Sequence, residues 1–139
     1  MKILILLITA VLAGCVTYTP QQVMDAGDRY TAHLAKPPKD AAYCVARVGE
    51  NIHGAISSNV RPLEGEAMEV VFRAGTDPGM AISVIRLVPD GAGSLATIWW
   101  RPRYKKEPRL DESVLERDAR ERRDAAFTDE GAAKLFKGC

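Results

Sequence analysis

The 139-residue sequence predicts an α+β domain with two N-terminal helices, a three- or four-stranded antiparallel meander and a C-terminal helical segment. Three observations support this prediction. Apolar residues recur at helical spacing early in the chain, β-branched and aromatic residues fill the middle, and capping residues precede the last segments. The loops between the predicted strands are too short for parallel crossovers, so neighbouring strands should be antiparallel.

The first predicted helix begins at TPQQ (19–22), which offers a threonine N-cap, a proline at the first helical position and a capping box. An apolar stripe at 3.6-residue spacing follows and consists of Val23, Gly27, Tyr30 and Leu34. Pro37 and Pro38 should end this helix, because proline disfavours the helical conformation of the residue before it.

The second predicted helix has Asp40 as its N-cap, and Gly49 and Gly54 weaken or end it. Its apolar stripe consists of Ala41, Cys44, Val45, Val48 and Ile52. Since Cys44 belongs to this stripe, its side chain should face the interior of the domain.

The middle of the chain should form the sheet. β-branched and aromatic residues are concentrated in AMEVVFRAG (67–75), AISVIRLV (81–88) and LATIWWR (95–101). The turn-forming sequences TDPG and PDGAGS separate these three segments. AISSNV at 55–60 is the optional fourth strand, at the edge of the sheet.

The C-terminal part should be helical. SVLE at 113–116 offers a capping box for a segment, charged nearly all round, that runs to Ala126. Thr128 should cap a last helix over 129–137, whose Leu135 and Phe136 pack inward. Gly138 is then the C-cap, directly before Cys139.

The first twenty residues, MKILILLITAVLAGCVTYTP, contain a targeting signal. Lys2 precedes an apolar run over 3–13, which is shorter than the ~20 residues a membrane-spanning helix needs but suits a signal-peptide core. LAGC at 12–15 follows directly and resembles the lipobox of bacterial lipoproteins. The resemblance covers only residues 1–20 and says nothing about the fold of the domain.

The resemblance implies cleavage before Cys15, attachment of lipid to its sulfur, and acylation of the new amino terminus with a chain such as palmitate. Several acyl chains together hold a protein stably on a membrane, whereas one does not. Val16 and Thr17 resemble the residues that follow the lipidated cysteine in lipoproteins directed to the outer membrane. This resemblance implies a protein that is lipid-anchored in the outer membrane and faces the periplasm. We therefore expect a signal peptide at 1–14, an anchor and short tether at 15–19, and a single domain at 20–139.

Lipidation of Cys15 leaves Cys44 and Cys139 in an oxidising periplasm, where only one intramolecular pairing is open to them. We predict a Cys44–Cys139 disulfide that ties the C-terminus to an early helix. The chain-entropy model gives such a bridge ~4–5 kcal/mol, less any strain in the native state. An intermolecular bridge through Cys139 is the alternative, and metal binding is disfavoured by the separation of the two cysteines.

Charge and motif content argue against nucleic-acid binding and against catalysis. The whole chain has a formal net charge of +1, and removal of Lys2 with the signal peptide would leave none. His33 and His53 belong to no metal-ligand spacing, and the sequence has no Gly-rich phosphate loop, nucleophile elbow or zinc motif. We therefore expect no enzyme, no cofactor and no metal site, with an enzyme of unknown class as a minor alternative.

The sequence WWRPRYKKEPR (99–109), which we call the basic–aromatic segment, combines cationic and aromatic residues. Such a combination suits a membrane interface, an anionic glycan or lipid headgroup, or a protein hot spot. The residues predicted to contact a partner are Trp100, Arg101, Arg103, Tyr104, Lys105 and Lys106. The alternative is a strand end followed by an exposed linker, and the acidic stretch at 111–130 could neutralise the segment internally.

Two functions remain open from the sequence. The first is a non-catalytic lipoprotein of the outer membrane that binds an envelope protein or cell-wall partner, such as a glycan. The second is an inhibitor or exclusion factor against a lytic enzyme or a phage, encoded by a prophage.

Overall fold

The structure is a computed structural model and describes residues 18–53, 56–74, 80–101, 113–115 and 128–139. Three helices and five strands are formed by these residues, with a short 3-10 helix at Glu64–Glu66. In chain order they are α1 (Pro20–Ala26), β1 (Asp28–Leu34), α2 (Pro38–His53), β2 (Ile56–Pro62), β3 (Met68–Ala74), β4 (Met80–Asp90), β5 (Gly93–Trp100) and α3 (Asp129–Phe136).

One antiparallel sheet contains all five strands, in the order β1-β5-β4-β3-β2. The predicted α+β class and the antiparallel meander are confirmed, and the optional strand at 55–60 is present as the edge strand β2. The predicted strand count was wrong, because a fifth strand, β1, pairs with β5 at the opposite edge. The N-terminal order is therefore helix, strand, helix rather than two consecutive helices.

The first predicted helix is only partly correct. The capping box is present, since Thr19 Oγ1 accepts from the Gln22 N–H at 3.2 Å and Gln22 Oε1 accepts from the Thr19 N–H at 2.9 Å. However, α1 ends at Ala26, and Gly27 has an extended backbone that leads into β1. The backbone at Gly27 lies close to the end of β5, because an added Cβ on Gly27 would overlap the carbonyl oxygen of Trp100.

The residues of β1 alternate with a period of two rather than 3.6. Its inward-facing residues, Tyr30, Ala32 and Leu34, pack with the core, while Arg29, Thr31 and His33 are exposed. Pairing with β5 satisfies the backbone groups of β1 that face β5, and it places the inward-facing side chains of β1 against the core.

The second predicted helix is present as α2, but it begins at Pro38, so that Asp40 lies in its first turn. Ala41 and Val45 are fully buried against the sheet, as the predicted stripe requires. Gly49 lies so close to the ring of Phe72 that an added Cβ would overlap it. Ile52, in the last turn, is 52% exposed, so the buried face ends before it.

The two faces of the sheet are covered differently. On the face that we call the core face, α2 and α3 pack over the main hydrophobic cluster, which includes Val70, Ile85 and Ile98. On the opposite face, which we call the outer face, the short α1 packs over a small cluster of Val23, Val71, Ala81 and Val84. Among the described residues of this face, Thr31, His33 and Arg61 are exposed.

The C-terminal helix agrees with its prediction except at its end, because it stops at Phe136 and its C-cap is Lys137 rather than Gly138. Thr128 Oγ1 accepts from the Gly131 N–H at 3.1 Å, and both Leu135 and Phe136 are buried. Gly138 has a φ of +83°, the left-handed conformation expected of a glycine that ends a helix. The helix predicted over 113–126 lies mostly outside the described residues; of it, Val114 and Leu115 are helical and exposed.

Candidate functional site

The basic–aromatic segment is described only at its start. Trp100 is 4% exposed and packs in the main core, so its side chain offers no surface to a partner, and its predicted contact role is corrected to a structural one. The alternation of β5 explains this, because Trp100 lies on the same face as Ile98 and Ala96. Arg103, Tyr104, Lys105 and Lys106 lie outside the described residues, as does Cys15.

Arg101 is the predicted contact residue that the structure describes at the surface, and it is half-buried. Its backbone N–H donates to the carbonyl oxygen of Ile82 at 3.0 Å, which continues the pairing of β5 with β4. Its guanidinium carbon lies 5.4 Å from the centre of the Tyr18 ring, and its Nη1 lies 2.8 Å from Met80 Sδ. The contact with Tyr18 is a cation–π interaction.

Tyr18 is fixed at the same end of the sheet. The Ala81 N–H donates to the carbonyl oxygen of Tyr18 at 3.2 Å, so the chain before α1 lies against the start of β4. The N-terminal entry to the domain and the start of the basic–aromatic segment are therefore neighbours. We call this region the entry end.

Cys44 and Cys139 are joined in a disulfide, with their Cα atoms 5.6 Å apart, as the sequence predicted. Lys36 lies beside it, because its Nζ is 3.5 Å from Cys44 Sγ and 3.2 Å from the carbonyl oxygen of Gly138. An open groove of about 440 Å³ runs along α2 at this point. Its lining residues are Lys36, Asp40, Tyr43, Cys44, Arg47 and Val48.

Two acidic groups at the surface make short contacts. Ser58 lowers the pKa of Glu50, because its hydroxyl and its backbone N–H both donate to Glu50 Oε1, at 2.5 Å and 3.0 Å. His33 Nδ1 lies 2.6 Å from Asp90 Oδ2, with both side chains well exposed. In the part of the chain that the structure describes, no group of three or more His, Cys, Asp or Glu residues could hold a metal ion.

An arginine–glutamate cluster on the outer face was not predicted from the sequence. Glu69, on β3, is fully buried and contacts Arg61 on β2 and Arg86 on β4. In the sequence, these three residues lie in three separate strand-forming segments. The strand register brings them together, and the sequence signal was a carboxylate within a mostly apolar strand.

No protein-family model matches the chain, and no curated protein sequence matches it either. Among the described residues, no helix is both long enough and apolar enough to cross a membrane.

Proposed function

We propose that this chain is a non-catalytic lipoprotein, anchored in the outer membrane through Cys15 and binding an envelope protein or cell-wall partner from the periplasmic side. The observation that carries the proposal is LAGC at 12–15, placed directly after an apolar run of signal-peptide length. Acylation at this cysteine would hold the protein on the membrane without a transmembrane helix.

The geometry of the entry end is compatible with this anchor. Only two residues separate Cys15 from Tyr18, and an extended chain covers ~3.5 Å per residue, so the Cα of Cys15 lies within ~11 Å of the Cα of Tyr18. Arg101, which contacts the Tyr18 ring, is then close to the membrane as well. The basic–aromatic segment would leave the domain next to the lipid headgroups.

The proposed partner contact consists of Arg101 and the basic residues that follow it. It is tested by crosslinking followed by affinity purification from envelope extracts, with Arg101, Arg103, Lys105 and Lys106 all replaced by serine. We expect the variant to lose the crosslinked partner while it keeps its membrane association. A control variant replaces Arg29 and Arg47, two exposed arginines outside the segment, with serine. It should keep the crosslinked partner.

The crosslinking experiment and a protection assay separate the proposal from its alternatives. If partner recovery is unchanged in the quadruple variant, the basic–aromatic segment is not the contact. Protection of cells against lysozyme or against phage on expression of the protein would instead favour an inhibitor or exclusion factor.

A further inference from the structure

A polar row crosses the outer face of the sheet from edge to edge. Cross-strand pairing aligns one residue from each strand, in the order Arg61, Glu69, Arg86, Thr97 and Thr31. Adjacent strands lie ~4.8 Å apart, so this row is about 19 Å long. We call these five residues the outer row.

Glu69 is the buried centre of the charged half of the row. Its side chain is fully buried, and Oε1 accepts from Arg61 Nε at 2.7 Å while Oε2 accepts from Arg86 Nε at 3.0 Å. A buried carboxylate is costly unless it is paired and hydrogen-bonded, and here both oxygens bind a guanidinium. Glu69 thereby holds two arginines next to each other.

The two arginines remain accessible to solvent. The side chain of Arg61 is 55% exposed and that of Arg86 is 40% exposed. Each guanidinium has five N–H donors, and together the two exceed what one carboxylate can accept. The cluster therefore presents a net positive charge with fixed donor groups, an arrangement suited to carboxylate recognition.

The other half of the row presents hydroxyl groups. Thr31 Oγ1 and Thr97 Oγ1 lie 3.2 Å apart on neighbouring strands, and Thr31 is exposed. Hydroxyls can both donate and accept, so this half suits a ligand that carries hydroxyls of its own. Cations and hydroxyls thus follow each other across neighbouring strands of one sheet face.

A purely structural role explains this cluster poorly. Replacing a buried ion cluster with apolar residues of similar volume is often neutral or stabilising, so such a cluster is weak evidence for a contribution to stability. A small-molecule site is also disfavoured, because ligand sites of that kind are concave whereas the outer row lies on an open sheet face.

We propose that the outer row binds a linear acidic polysaccharide, with its carboxylates at Arg61 and Arg86 and its sugar hydroxyls at Thr31 and Thr97. The choice of a glycan rests on the proposed envelope location. The charged half of the row lies away from the entry end, since Arg86 is five residues along β4 from Ala81, which corresponds to ~17 Å. The anchor therefore leaves the row free for a polymer in the periplasm.

The test is binding of the full-length, lipidated protein in detergent micelles to alginate, a linear polysaccharide with one carboxylate per sugar. Isothermal titration at low salt should show binding to alginate and none to neutral dextran. The double variant Arg61→Gln with Arg86→Gln should weaken alginate binding by at least about tenfold. The matched control, Arg47→Gln on α2, removes an exposed positive charge and should change binding less than about twofold.

A second variant guards against loss of folding. The substitutions Arg61→Gln and Arg86→Gln remove both charged partners of the buried Glu69, so the double variant could unfold. Replacing Arg61 with Met, Glu69 with Leu and Arg86 with Met removes the whole cluster and should keep the fold, as circular dichroism would show. This folded variant should weaken alginate binding by at least about tenfold, as the double variant does.

Three results would overturn the proposal: no binding of alginate by the wild-type protein, undiminished binding by the folded triple variant, or an equal loss in the Arg47 control. These three results do not depend on the anchor, because the intact mass of the same preparation measures the lipid on Cys15 separately from alginate binding. Failure of alginate binding by a lipidated protein thus contradicts the polysaccharide site alone.

Discussion

At the scale of single residues, the close contact between Gly49 and Phe72 sets how near α2 can lie to the sheet. Phe72 is 3% exposed and belongs to the main core, so its ring has little room to move. An added Cβ at position 49 would overlap two atoms of that ring. Glycine is costly in a helix, and its presence here reflects close packing rather than helix propensity.

Gly49→Ala should therefore destabilise the protein by about 1–3 kcal/mol, although alanine alone would favour the helix by up to ~1 kcal/mol. Urea unfolding measures the difference. Asn51→Ala, on the exposed side of the same helix, is the matched control and should change stability by less than ~0.5 kcal/mol. A more stable Gly49→Ala protein would show that α2 can move away from the sheet.

Glu50 and Ser58 allow a prediction about pH. Because hydrogen bonds from Ser58 lower the native pKa of Glu50, ionised Glu50 stabilises the folded state above the ordinary carboxyl range. That contribution is lost as the pH falls through the native pKa. In an NMR titration, Ser58→Ala should move the pKa of Glu50 up toward its ordinary value. Ser57→Ala, whose side chain points to the other face, should leave it unchanged.

At the scale of secondary-structure elements, the disulfide joins α2 to the chain end that follows α3. It links residues 95 positions apart in sequence, and α3 itself has only eight residues. A helix this short is not stable alone, so its position depends on its buried side chains and on the covalent link.

Replacing both Cys44 and Cys139 with serine should lower the free energy of unfolding by up to ~4–5 kcal/mol, with α3 affected first. Urea unfolding gives the total loss, and hydrogen exchange of the α3 amides gives its location. The wild-type protein under reducing conditions should behave in the same way. An unchanged unfolding midpoint in both experiments would mean that packing alone holds the C-terminus.

The elements also show what the sequence could and could not predict. The strands β2 to β5 were predictable because β-branched residues and turn sequences mark them locally. β1 was missed because Tyr30 and Leu34 are four residues apart, a spacing that fits both a helix and a strand face. Pairing with β5 decides between them, and that contact is made with residues sixty or more positions away.

The same limit applies to the candidate sites. The disulfide followed from counting cysteines, and the partner contact of Arg101 stays a prediction. The burial of Trp100 follows from strand alternation only once the facing direction of β5 is known. The Arg61–Glu69–Arg86 cluster depends on the register of three strands, which no local pattern in the sequence specifies.

At the scale of the whole molecule, the fold separates two regions. The entry end brings Tyr18 and Arg101 together, next to the proposed anchor, while the outer row lies further along the strands. A lipoprotein built in this way would use one end for the membrane and keep its open sheet face for the periplasm. The central claim is therefore the lipid on Cys15.

The intact mass of the membrane-extracted protein, measured with and without reduction and thiol alkylation, tests that claim most directly. We predict the mass of residues 15–139 plus lipid, with two alkylatable thiols that appear only after reduction of the monomer. A mass that includes residues 1–14, or one without added lipid, would contradict the anchor and the envelope location that depends on it.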